Sequence, residues 1–203
     1  MASTLVTTKA PTIVLDAGHG GEDGGAVSKS GLQEKDINLA VALNLKKMLT
    51  ASGFTVVTTR DTDISIGDKS LGTIRERKVS DIHNRLKIIE KQDNCIFISI
   101  HQNHFSDSKY YGSQIFYSKN NDKSKPFAEA IQTQIVRLLQ PQNKREIKPA
   151  DSTIFLLWQA KVPAIIVECG FLSNDSEAKK LSEPLYQQQM AFSIYSGLLN
   201  YLQ

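Results

Sequence analysis

TIVLDAGHGG, residues Thr12–Gly21, decides how this chain folds. Thr12–Leu15 is a short, β-rich apolar run, and Asp16 ends it. Gly18, Gly20 and Gly21 then let the backbone turn sharply and approach a ligand. From Lys35 to Leu49 the period changes. Ile37, Val41, Leu45, Met48 and Leu49 recur at helical spacing, and Gly53 supplies a stop signal. Strand, glycine loop and helix thus follow in order.

The same alternation continues outward from this unit. Phe54–Thr59 reads as a strand, and residues 61–73 as a polar loop. Val79, Ile82, Leu86 and Ile89 give a second amphipathic helix over Ile74–Glu90. Its other face carries Arg75, Arg77, Lys78, Arg85 and Lys87, most simply as a solvated surface, alternatively as a dock for a partner or an anionic wall polymer. Cys95–Ile100 is a continuous apolar run of strand length, and Ser113–Tyr117 another strand. Pro126–Leu139 is helical with proline in its first turn. Gln140–Ser152 reads as a loop, and Ile154–Trp158 is open between strand and helix. Ala164–Val167 is a buried strand, and Asp175–Leu181 and Pro184–Leu202 are closing helices. Such a sequence predicts an α/β domain with a largely parallel sheet. Ligands of these sheets collect beyond the carboxyl ends of the strands.

Composition narrows the class. The chain has 203 residues, enough for one domain with its own core. Hydrophobic residues make up 40% and charged residues 22%, which argues against disorder. No run approaches the roughly 18 apolar residues of a membrane span. Basic and acidic counts of 24 and 21 leave a net charge of +3, too small to predict nucleic-acid binding. Cys95 and Cys169 both sit in apolar runs, where free buried thiols are the ordinary reading. The opening MASTLVTTKAP is short and polar, with no secretory apolar segment.

The residues at the strand ends carry the chemistry. Gly-x-Gly-x-x-Gly fails because position 23 is Asp, and no Gly-Lys-Ser/Thr follows for a phosphate loop. His19, in the middle of the glycine loop, is a metal ligand or an ordinary loop residue. His101, directly after the Phe97–Ile100 run, is a ligand or a hydrogen-bonded core histidine. Glu168, at the end of Ala164–Val167, is a ligand, a general base or half of a structural salt bridge. Glu34 opens the first helix, where a carboxylate also favours the macrodipole. With His19 and His101 it would complete a His₂Glu site that leaves a position open for water. Asp16 either orients a ligand histidine or stabilises its own turn. His104 extends the site, contacts substrate or is an exposed loop residue. His83, inside the basic helix, is read as structural. No Gly-x-Ser-x-Gly elbow occurs, and Cys169 should point away from Glu168 and pack.

LDAGHGG, SGLQEKDINLA, TTRDTD, FISIHQN and VPAIIVECGFLSN, in that order, resemble the zinc-dependent N-acetylmuramoyl-L-alanine amidases of the Amidase_3 type. The likeness runs from Thr12 to Gln203. The short form without binding repeats, and the stretch IRERKVSDIHNRLKIIE, resemble the CwlD-type amidases of spore-forming bacteria. The resemblance implies a three-layer α/β/α fold with a six-stranded, mostly parallel sheet. It implies one zinc ion held by His19, Glu34 and His101, with Glu168 as the catalytic glutamate. Two departures stand out. Gln102-Asn103-His104 replaces the commoner Ala-Asn-Ala, which makes Asn103 and His104 candidate substrate contacts. Cys169 stands where a small aliphatic residue is usual.

The implied reaction is hydrolysis of the amide between the lactyl group of N-acetylmuramic acid and L-alanine in peptidoglycan. The implied role is spore-cortex maturation toward muramic-δ-lactam, with an activating protein partner as a further expectation. Peptidoglycan lies outside the cytoplasmic membrane. Residues 1–11 are therefore expected to be a tail left by a signal or anchor, and 12–203 the catalytic domain, working in the forespore intermembrane space. The rival expectations are a related zinc hydrolase on another amide, and a catalytically silent wall-binding module.

Overall fold

The structure is a computed structural model that describes residues 10–203. The expected tail lies outside the described residues except for Ala10 and Pro11. Strand β1 (Thr12–Ala17) leads through the glycine loop to helix α1 (Glu34–Ala51). There follow β2 (Val56–Thr58), α2 (Ile74–Glu90), β3 (Cys95–Asn103), β4 (Gln114–Tyr117) and α3 (Ser124–Leu138). The chain ends with β5 (Lys148–Pro149), α4 (Phe155–Gln159), β6 (Ala164–Phe171), α5 (Asp175–Ser182) and α6 (Pro184–Leu202).

The sheet has six strands in the order β2-β1-β3-β6-β4-β5. All neighbours are parallel except β4 against β6. The expected three-layer α/β/α architecture is therefore present, and strand alternation builds its two cores. Ile13 and Leu15, Ile96, Ile98 and Ile100, and Ile165, Val167 and Cys169 share one core with α1, α3, α5 and α6. Val14, Phe97 and Ile166 share the other with the apolar stripe of α2 and with α4. Thr73 starts α2 with a capping box closed by Glu76.

Several boundaries differ from the sequence reading. The stretch around Ile154–Trp158 is a short helix, because its amides bond back along the chain, as Trp158 N–H does to Ile154 O. Residues 140–152, read as a loop, contain the two-residue strand β5. Two of the strands run further than their apolar cores. His101 lies within β3 and Glu168 within β6, rather than just past them, because the two pair in register. The ladder then shifts between His101 and Asn103.

Candidate active site

The glycine loop at the end of β1 is clamped from below by two buried arginines. Arg60 donates through Nε to Ala17 O at 2.8 Å and through Nη2 to Gly18 O at 3.0 Å. Arg85, from α2, donates to Ala17 O at 2.8 Å and His19 O at 2.7 Å. These bonds hold His19 in the left-handed region at φ 62°, a conformation that costs an ordinary residue about 1 kcal/mol or more. Arg85 is 3% exposed, so the basic face of α2 is not wholly solvated. Its inner edge faces Asp16 at 2.5 Å and Asp81 at 2.6 Å. Burial opposes its charge, but these two carboxylates hold the guanidinium above its usual range. Arg77 and Lys78 pair instead with Glu22 and Asp23 on the loop.

Asp16 is fully buried and serves this clamp. It accepts from Ser99 Oγ at 2.5 Å and Thr59 Oγ1 at 2.6 Å, besides Arg85. Burial would raise its pKa, yet the charges of Arg85 and His101 and the two hydroxyls bring it down to about 2. Neither histidine ring is hydrogen-bonded to it. Asp16 reaches His19 only through Arg85 and the backbone.

The loop then folds back onto the first turn of α1, as the His19–Glu34 spacing requires. Glu34 N–H donates to Ala26 O at 2.9 Å, and Ala26 N–H returns a bond to Glu34 Oε2 at 2.9 Å. The buried Glu34 carboxylate also accepts from Gln102 N–H at 3.0 Å and from Asn38 Nδ2 at 3.2 Å. His101 Nδ1 lies 2.9 Å from its Oε1, and His19 Nε2 lies 3.2 Å from its Oε2. Burial works against a charge here, but the two imidazoles hold Glu34 well below the usual carboxylate range. Asp23, four residues after His19, takes the other ring nitrogen, Nδ1, at 2.8 Å. Despite burial, Asp23 and Glu34 raise His19 to about 9.

His19, Glu34 and His101 each offer one ligand atom, and these atoms lie within 4.8 Å of one another. The side chains of His19 and His101 remain 24% and 21% exposed, which leaves one side of the cluster open. Two imidazoles and one carboxylate with an open side fit a catalytic divalent ion of the zinc class. The backbone is shaped for these rings. A Cβ at Gly18 would stand 2.2 Å from His101 Nε2, and one at Gly25 (φ 67°) 2.6 Å from Glu34 Oε2.

Glu168, paired in register with His101, stands beside this cluster. Its Oε2 is buried and has no hydrogen-bond partner among the described residues. Burial, reinforced by the Glu34 charge and moderated by the two histidines, pushes its pKa up to about 7. A carboxyl with a free oxygen and such a pKa is suited to moving protons near neutrality.

The remaining candidates fall further out. Asn103 lines a cavity next to the site, and His104 is exposed beyond it. His83 stays on α2, bonded to Val79 O at 2.8 Å. Cys95 and Cys169 are both free and buried, and Cys169 packs on the face opposite Glu168 as alternation requires. Four residues that hold the site escaped the sequence reading as functional: Asp23, Asn38, Arg60 and Arg85. Asp23 stands in the glycine loop four residues from His19, and Asn38, Arg60 and Arg85 lie inside the quoted stretches SGLQEKDINLA, TTRDTD and IRERKVSDIHNRLKIIE, but nothing in those stretches shows which side chains turn inward.

Comparison with known proteins gives the family. The family described as N-acetylmuramoyl-L-alanine amidase matches residues 13–200. The germination-specific N-acetylmuramoyl-L-alanine amidase of Bacillus subtilis is 38% identical over 93% of this chain and 78% of that protein. Among solved structures, the CwlD amidase of Clostridioides difficile, in complex with the GerS lipoprotein, superposes with a TM-score of 0.92 at 42% identity. That match covers 95% of this chain and 98% of the other. AmiC2 of Nostoc punctiforme, also an N-acetylmuramoyl-L-alanine amidase, gives 0.79 at 29% identity, over 95% of this chain and 97% of its own. With the family model matching nearly the whole chain, and with a glycine-loop histidine, a glutamate in the first turn of a helix and a strand histidine gathered on a sheet of this order, the chain belongs to the N-acetylmuramoyl-L-alanine amidase family.

Proposed function

We propose that the protein hydrolyses the amide between N-acetylmuramic acid and L-alanine in peptidoglycan, with one zinc ion held by His19, Glu34 and His101. The observation that carries this reading is the buried, unpartnered Glu168 Oε2 beside that ligand cluster. Zinc, when bound, lowers the pKa of a coordinated water toward about 7 and polarises a carbonyl. Glu168 accepts the proton of the attacking water and delivers it to the departing L-alanine amine. Glu34 would supply negative charge to that ion, and its bonds to Ala26, Asn38 and Gln102 fix the carboxylate that both imidazoles contact. Asp23 holds His19 Nδ1, so that Nε2 faces the cluster.

The likeness to a germination-specific amidase and to CwlD supports a role in the spore cortex, toward muramic-δ-lactam. The place of action is then outside the cytoplasmic membrane, in the forespore intermembrane space. Among the described residues no helix is long and apolar enough to span a bilayer. The CwlD neighbour was solved with a lipoprotein bound, and a comparable activating protein is proposed for this chain.

The test is metal analysis joined to product analysis on purified peptidoglycan. Stoichiometric zinc, free muramic-acid lactyl ends and released peptides that begin with L-alanine are expected. Cleavage at a different amide would redirect the assignment to a related hydrolase. Zinc binding without any cleavage would leave a wall-binding module.

A further inference from the structure

Two cavities flank the ligand cluster, and they differ in charge. The one under α2, about 500 Å³, is lined by Arg75, Lys78 and Arg85, but also by Asp16, Asp23 and Asp81. Two of its three cations are answered within the protein: Lys78 pairs with Asp23 at 2.8 Å, and Arg85 with both Asp16 and Asp81, while Arg75 makes no ion pair among the described residues. The other cavity, about 360 Å³, lies over the β4–β6 side of the sheet and is lined by Asn103, Tyr110, Gln114, Arg145, Lys148 and Phe171 among others. No carboxylate lines it. Among the described residues, neither Arg145 nor Lys148 makes an ion pair. Glu177, behind Phe171, spends its Oε2 on the backbone N–H groups of Gly112 and Phe171, each at 2.9 Å.

This second cavity adjoins the chemistry. Gln114 stands opposite Glu168 in the antiparallel β4–β6 register, and Asn103 opposite Phe171 in the β3–β6 register. Arg145 is held in place before any ligand arrives. Its Nε donates to Tyr111 O at 2.8 Å and its Nη1 to Gln114 Oε1 at 3.2 Å. The guanidinium lies 4.4 Å from the centroid of Phe171 and 5.5 Å from that of Tyr110. A stacked, braced guanidinium has little side-chain entropy left to lose, and its remaining nitrogen, Nη2, makes no hydrogen bond among the described residues. The Glu177 charge acts on Arg145 without pairing with it, and a positive, preorganised pocket with no carboxylate in its lining is suited to an incoming carboxylate.

We propose that this cavity is a subsite for a free carboxylate of the stem peptide, recognised by Arg145 with Lys148 and Asn103 beside it. The proposal rests on the amidase reading and adds a direction to it. L-Alanine spends its own carboxyl on the next peptide bond, so the first free carboxylate on the leaving-amine side is the α-carboxylate of the second residue. The peptide then runs over β4 and β6, and the uncharged sugar lies toward α2, where Ile74 and Val79 are exposed at 56% and 48%.

The experiment uses two muropeptides that differ only in that group, one with D-glutamate and one with its α-amide, D-isoglutamine. The zinc-loaded protein is expected to favour the carboxylate by about tenfold to a hundredfold in kcat/KM. Arg145→Gln should bring that ratio close to one. Lys148→Gln, which breaks no side-chain hydrogen bond or ion pair among the described residues, should lower it in part. A parent ratio near one, or an unchanged ratio in Arg145→Gln, overturns the proposal while peptide release still upholds the amidase. If the parent cleaves neither substrate, the amidase reading fails, and calorimetry with L-alanyl-D-glutamate and L-alanyl-D-isoglutamine decides the subsite alone. Tighter binding of the acid that disappears in Arg145→Gln supports it, and equal binding of the two dipeptides overturns it.

Discussion

Glu34 is the most heavily bonded carboxylate of the site: two backbone amides, the Asn38 amide and two imidazoles converge on its oxygens. Glu168 is its opposite, with one buried oxygen left free. That contrast is the basis for the roles proposed above, Glu34 to hold a metal and Glu168 to move a proton. Glu168→Gln should keep its zinc and lose about a hundredfold to ten-thousandfold in hydrolysis. Metal content and muropeptide turnover, measured on the same sample, check this, and near-parental turnover would remove Glu168 from the mechanism. Asp16 is a stability residue with a defined acid signature. Its folded pKa of about 2 lies below the ordinary 3.8, so the ionised form stabilises the fold above that ordinary value. That stability is lost as pH falls through about 2. Asp16→Asn should therefore cost about 2 kcal/mol near neutrality from ionisation alone. The deficit should shrink as urea unfolding is repeated at successively more acid pH. The sequence made the three proposed ligand positions visible because two histidines and a glutamate fell at strand or helix ends. It hid Arg85, because one inward arginine among five basic residues on α2 leaves no mark on the pattern.

At the scale of elements, helices were the legible part. Apolar residues at a period of 3.6 marked α1 and α2 to within two residues of their ends. Strand β5 was not legible. It is a Lys-Pro pair on the sheet edge, bonded to β4 alone, and an edge tolerates both a polar side chain and a missing N–H. The carboxyl ends of β3 and β6 were cut short for a related reason. His101 and Glu168 are polar, so apolarity stops where pairing does not. The exit from β1 depends on a missing side chain. Gly18→Ala would place a methyl group against the His101 ring, so the ring must shift. The expected result is at least a tenfold loss of zinc affinity with the melting temperature of the metal-free protein falling only a few degrees. Competition with a chromogenic chelator gives the first quantity and calorimetry the second.

Across the whole molecule, the cluster joins the β1 exit loop, the start of α1 and the end of β3, segments far apart in sequence. An ion that binds only the folded arrangement must add its binding energy to folding. At a free zinc concentration about a hundredfold above Kd the gain is about 2.7 kcal/mol. For a chain of this size that is a rise of about 5–10 °C in Tm. Calorimetric scans with zinc and with chelator should show that interval, and His101→Ala should abolish it. The sheet order and the two cores were foreseeable only as a class, because single-sequence periodicity names elements and not their neighbours. The five motifs read together implied six strands in a mostly parallel sheet, and their order came from the structure.

The guanidinium of Arg85 also has a consequence for hydrogen exchange. It hangs from the middle of α2 and carries the carbonyls of Ala17 and His19. The neighbouring amides of Gly18 and Gly20 bond to Ile100 O and Asp23 O. These amides should open together with α2 as one cooperative unit, not as a fraying surface loop. Removing the helix cap by Thr73→Ala costs about 1 kcal/mol. Deuterium should then enter Gly20 about fivefold faster, although Thr73 is on a different element, and at an unchanged rate in the interior of α6.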